Sequence, residues 1–156
     1  MKKKTNLTAG GNMLSYASIM LLAGIGIPIL AAMNASLGKH LNSPVAASAF
    51  AFFIAFCIAL LALLLNDKSF LKEIATAPKH LFFAGTFIAF YVLSITFVAP
   101  HFGVGNAIFF VLLGQMLSAA IIDHYGLFDA QVNQLSLMRF SGIIVMVFGI
   151  WLTQKA

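Results

Sequence analysis

Charge is the scarcest commodity in this chain: Asp, Glu, Lys and Arg together make up 8% of 156 residues, against about 25% in an ordinary soluble domain. So few charges cannot solvate a protein surface, which excludes a soluble globular domain and makes lipid the solvent for most of the chain. Cysteine is also nearly absent. Cys57 stands alone inside an apolar run, so no internal disulfide can form and no cysteine-based metal site can be assembled. No glycine loop for phosphate and no ATP-binding motif occurs, so the chain is not read as an enzyme or as an ATP-driven pump. The net charge of +5 comes from scattered basic residues without a basic face or interleaved aromatics, and nucleic acid is not expected as a partner. His40, His80, His101 and His124 lack metal-ligand spacing, so no metal and no cofactor is expected.

What is abundant is apolar sequence, 62% of the chain. Five runs stand out, at about 14–37, 45–65, 81–98, 104–122 and 135–153. Each approaches the roughly 20 residues that a helix needs to cross a bilayer. They are continuous rather than alternating, so helices and not barrel strands are predicted. The fold class is therefore all-α, an integral membrane bundle of five transmembrane helices forming one domain over residues 1–156. The fifth run is the weakest, because Arg139 lies inside it and must snorkel to the interface. The connections are short. Pro100, in "APHFG", is expected to end the third helix.

The start of the chain, "MKKK" followed by an apolar stretch and "ILAAMNAS", has the outline of a signal peptide. The stretch is long enough to span, and a retained first helix is the expectation. Alternating the loops puts Lys2, Lys3, Lys4, Lys68, Lys72, Lys79 and Arg139 on one side, and Lys39 and Lys155 on the other. The bias predicts a cytoplasmic N-terminus and a periplasmic C-terminus for a multi-pass protein of the bacterial inner membrane.

Polar residues inside such runs must find partners. At 1.5 Å per residue, Gln115 lies about 12 Å inside the membrane edge marked by Asp123, near the midplane. Tyr91 falls at similar depth. Asn34 and Asn106 fall near the outer ends of their helices, while Asp123, His124 and Arg139 gather at the cytoplasmic edge. Gln115 is open to two readings, an interhelical hydrogen bond or a contact to a small-molecule substrate in a midplane cavity. Tyr91 and Pro28 are candidates to line that cavity, with Asn34 at its outer mouth. Asp123, His124 and Arg139 are candidates for coupling or gating, or simply an interfacial stop with an ion pair. Small residues suggest tight helix packing: Gly24 and Ala35 on the first helix, Ser48 and Ala59 on the second, Gly114 and Ser118 on the fourth, Gly142 and Gly149 on the fifth. Pro28 breaks one helical hydrogen bond and offers either a tolerated kink or a hinge beside a cavity.

Two stretches carry a resemblance. "GIGIPILAAMNASLGKHLNSPVAASAFAFF" is similar to the pattern G-x-x-x-P-x-x-x-x-x-N-x-x-L-G-x-x-x-x-x-P-x-x-A. "GQMLSAAIIDHYGLF" with "RFSGIIVMVFGIWL" resembles G-Q-x-x-x-x-x-x-I-D-x-x-G-L and R-x-x-G. Both belong to the YdcZ-type family of the drug/metabolite transporter superfamily. The matching positions are Pro28, Asn34, Leu37, Gly38, Pro44, Gly114, Gln115, Asp123, Gly126 and Arg139. The resemblance implies a drug or metabolite transporter whose five helices are half of a ten-helix unit. It therefore implies a dimer or a related half-size partner in the bilayer. Small multidrug transporters of the wider superfamily exchange protons for cations at a membrane-embedded carboxylate. Asp67, Glu73, Asp123 and Asp129 are the only acids here and none is expected at the midplane, so the expected substrate is neutral or zwitterionic. A non-transporting membrane subunit or regulator stays open as the alternative.

Overall fold

A computed structural model of the chain describes residues 5–66 and 73–155, with side chains from Met13 onward. Lys2, Lys3, Lys4, Asp67, Lys68 and Lys72 lie outside the described residues, and with them most of the charge bias. Among the described residues five long helices follow one another: α1 Thr5–His40, α2 Pro44–Leu64, α3 Ala84–Phe102 entered through a 3-10 turn at Lys79–Phe83, α4 Val104–Tyr125 and α5 Leu137–Thr153. No strand occurs among the described residues. Four stretches, Met13–His40, Pro44–Leu64, Lys79–Phe102 and Val104–Tyr125, are long and apolar enough to cross a membrane. The fifth helix has 17 residues, about 26 Å at 1.5 Å per residue, slightly less than the roughly 30 Å hydrocarbon core. Arg139 sits in its first turn, where a long side chain reaches the interface. Large apolar side chains such as Phe53, Phe87, Phe90 and Val145 point outward. That is the pattern expected where lipid, not water, covers the surface.

Two boundaries differ from the sequence reading. The first helix begins at Thr5, ahead of the apolar run, because a helix needs backbone hydrogen bonds and not apolar side chains to continue into water. The third helix runs through Pro100 to Phe102, and the chain breaks instead at Gly103, where φ is +89°. Proline removes one hydrogen bond, which the last turn of a helix tolerates. A φ of that sign is one that residues with a Cβ rarely adopt.

The chain divides into two compact units, Met1–His101 and Phe102–Ala156. In the first, α1 turns sharply into α2. The amide of Ser43 donates to the Gly38 carbonyl at 2.9 Å. The Ser43 hydroxyl accepts from the Ala46 amide at 3.1 Å and Pro44 takes the first helical position, a favourable helix start. Gly38 is where the helices nearly touch: a Cβ there would sit 3.2 Å from Pro44 Cα and 3.5 Å from Thr96 Cγ2. Ala47 lies 3.7 Å from the same position, and Ala31, Ala35, Ala99, Val92 and Ile95 are buried in the same unit. Small side chains permit this approach in lipid, where dispersion rather than water drives helix association.

In the second unit, α4 and α5 pack through Ala107, Ala120, Ile143 and Ile150. Gly126 ends α4 in the left-handed conformation, φ +63°, as helix C-termini commonly do. The Ser136 hydroxyl caps α5 by accepting from the Arg139 amide at 3.2 Å. Polar contacts fasten this hairpin at both ends. Gln154 Nε2 donates to Asn106 Oδ1 at 2.9 Å at one end, and Arg139 Nη2 donates to Asp123 Oδ2 at 2.7 Å at the other.

Candidate functional site

The two units treat their polar residues differently. In the first, Asn34 Nδ2 donates to Thr96 Oγ1 at 2.6 Å. Thr96 Oγ1 donates in turn to the Val92 carbonyl at 2.6 Å. The Ser48 hydroxyl lies 3.3 Å from Thr96 Oγ1 and donates to the Pro44 carbonyl at 3.0 Å. Thr96 and Ser48 are fully buried and Asn34 nearly so. One residue from each of three helices meets here, and the bond network ties α1, α2 and α3 together. Asn34 is thus held inside a closed cluster.

Tyr91 lies five residues before Thr96 on α3, near the middle of the span Lys79–Phe102. Its hydroxyl is buried and has no hydrogen-bond partner among the described residues. Pro28 lies within a continuous α1 and is half-buried. Having no N–H, it leaves the Gly24 carbonyl without its helical donor.

In the second unit, Gln115 occupies the centre of α4, eleven residues after Val104 and ten before Tyr125. Its side chain is exposed and makes no hydrogen bond within the described residues. Gly114 beside it is open, with nothing within 4 Å of the position a Cβ would take. The Ser118 hydroxyl donates within its own helix, to the Gly114 carbonyl at 2.8 Å. Gly24, Gly142 and Gly149 are equally open, with no described atom within 4 Å of the position a Cβ would take.

Asp123, His124 and Arg139 do come together. Besides the Asp123–Arg139 ion pair, the Asn133 amide donates to the Asp123 backbone carbonyl at 2.8 Å. The Leu135 amide donates to His124 Nδ1 at 3.1 Å. An accepting Nδ1 requires the neutral ring with its proton on Nε2. The Asp123 backbone carbonyl and the His124 ring thus pin the 126–136 segment to the end of α4, while the Asp123 carboxylate holds Arg139 of α5. Arg139 Nη1 is buried without a partner, and a cavity of about 300 Å³ beside His124 is lined by Leu117, Phe140 and Ile143.

Thr96 was the residue that sequence reasoning passed over. Its depth was legible: Asn34 lies six residues before the end of α1, and Thr96 six before the end of α3. Two polar side chains at equal depth among apolar neighbours are natural partners. Ser48 was read only as a small residue.

A family model described as "Putative inner membrane exporter, YdcZ" matches residues 15–152. No curated protein and no solved structure matches the chain. That family match runs from α1 into the last turn of α5, over spans that place the chain in a lipid bilayer. The chain belongs to the YdcZ family of the drug/metabolite transporter type, a family of inner-membrane exporters, and is a multi-pass membrane protein.

Proposed function

We propose that the chain is a half-size secondary transporter that exports a small neutral or zwitterionic solute, with Gln115 as a polar contact to that solute. The observation that carries this reading is the Gln115 amide, placed mid-span and left without a partner among the described residues. An unsatisfied polar group in hydrocarbon costs several kcal/mol, so an amide kept there must meet water, solute or another subunit. The buried, unpartnered hydroxyl of Tyr91 supports the same role in the first unit. Asn34 is scaffold in this reading, since its amide is spent on Thr96.

The open faces at Gly24, Gly114, Gly142 and Gly149 are where a second subunit would pack, and five helices are few to enclose a path with two gates. The acting form is accordingly a dimer, either parallel or with a separately encoded inverted partner. Its N-terminus is cytoplasmic. The Asp123–Arg139 pair with His124 closes the inner end as a gate.

The test begins with a thermal-shift screen for a stabilising solute, followed by its flux in proteoliposomes. Gln115→Leu is expected to abolish flux while elution volume and helicity stay unchanged. Flux retained with unchanged apparent affinity would make Gln115 a packing residue only. Mass measurement in nanodiscs under active conditions is expected to give a dimer, and a monomer alone would exclude one. Cysteines placed at Thr5 and Lys155, with Cys57 removed, are expected to label from opposite faces. Equal labelling of each from both faces would contradict the fixed orientation.

A further inference from the structure

A cavity of about 420 Å³ opens where α1 and α3 end and α2 begins. Its volume lies in the range of small-molecule sites, roughly 300–1,000 Å³. Phe97 and Pro100 give it apolar walls, and Lys39, Asn42 and His101 give it polar groups. The floor is closed to ligands: the Thr96 hydroxyl there donates to Val92 and accepts from Asn34, with the Ser48 hydroxyl 3.3 Å away and all three side chains buried. Recognition therefore falls to the rim.

The charge of that rim is unopposed. Glu73, Asp123 and Asp129 are the described acids, and none lines the cavity. Lys39 forms no ion pair among the described residues. His101 Nδ1 lies 2.9 Å from the Phe97 carbonyl. A carbonyl only accepts, so Nδ1 carries the proton and Nε2 stays available to a ligand. Helix termini pull the other way: two C-terminal ends and one N-terminal end sum to about −0.5 of a charge. The full positive charge of Lys39 outweighs that sum.

We infer that this cavity binds the anionic headgroup of a small amphipathic molecule, a carboxylate or phosphate on Lys39 and Asn42 with its apolar body against Phe97 and Pro100. The occupant is distinct from the exported solute of the transport reading above, which is neutral or zwitterionic, and the site does not rest on that reading.

The test uses the full chain in phosphatidylcholine nanodiscs, with Cys57→Ala and a reporter cysteine at Leu41, beside the cavity and outside its lining. A sulfonate-bearing methanethiosulfonate is expected to modify the reporter about 5-fold faster than a trimethylammonium analogue, the bias that one charge some 8 Å away exerts in water. Phenylacetate is expected to protect the cysteine and phenylacetamide to leave it unprotected. Lys39→Gln should abolish both the bias and the protection, and Lys39→Arg should restore them. Equal protection by the amide, or full protection in Lys39→Gln, overturns the inference. Discs containing phosphatidylglycerol separate the sources of the headgroup. A solute site keeps its phenylacetate response there, whereas a lipid site is already protected before phenylacetate is added.

Discussion

Asn34 and Gln115 are both carboxamides in apolar helices, both at positions where the chain resembles its family, and they meet opposite fates. Asn34 is buried and bonded to Thr96 at 2.6 Å. Gln115 is exposed at mid-span with no partner among the described residues. Lipid offers neither of them hydrogen bonds, so the pair separates two uses of a polar side chain in a membrane. A satisfied amide holds helices together. An unsatisfied one is kept for something that arrives from outside the chain.

The comparison can be attacked first where the scaffold is tightest. Gly38→Leu would drive a side chain into Pro44 Cα and Thr96. The backbone of α2 cannot give way cheaply, and a loss of about 3 kcal/mol is expected from overpacking, read by unfolding in micelles. A loss below about 1 kcal/mol would show that the α1–α2 corner is not the rigid part of the first unit.

Removing the hydroxyl at the centre of the cluster is the next largest effect. Thr96→Val keeps the shape and strands the Asn34 amide, for an expected cost of about 1–2 kcal/mol. Thr96→Ser should recover most of that loss. If both variants unfold like the parent, the cluster contributes nothing and the contrast with Gln115 loses its satisfied half.

The ion pair in the second unit is predicted to be weaker. Its side chains are 26% and 34% exposed, so water screens them and a double-mutant cycle of Asp123→Asn with Arg139→Gln should give a coupling of about 0.5–1 kcal/mol. Its proposed importance is to flux. A proton-driven flux that persists unchanged in Asp123→Asn would remove Asp123 from the coupling step. Smallest of all, Gly24→Ala should leave the isolated subunit within about 0.5 kcal/mol of the parent or stabilise it, since nothing lies within 4 Å of the new methyl. A clear loss of dimer in the same variant would instead identify that face as a subunit contact.

Much of this architecture was legible in the sequence because lipid imposes a simple rule: long apolar runs become helices that satisfy their own backbones. Ends were harder, since apolarity marks where a span meets water and not where a helix stops. The turn at Gly103 needed a positive φ that only the backbone reveals, and Pro100 was the more conspicuous and wrong terminator. The pairing of Asp123 with Arg139 was readable because two opposite charges share one membrane edge. The Thr96 cluster was not read, because a threonine among apolar residues is unremarkable until the depths of two helices are compared. The cavity at Lys39 and His101 depends on where three helix ends converge, which no single segment records.

The most direct test measures stability and flux together in Asn34→Leu and Gln115→Leu, using the solute that stabilises the parent chain. The account predicts a crossed result. Asn34→Leu unfolds more easily, yet the folded fraction still transports, whereas Gln115→Leu unfolds like the parent and transports nothing. Two variants that lose stability alike and retain flux alike would contradict it.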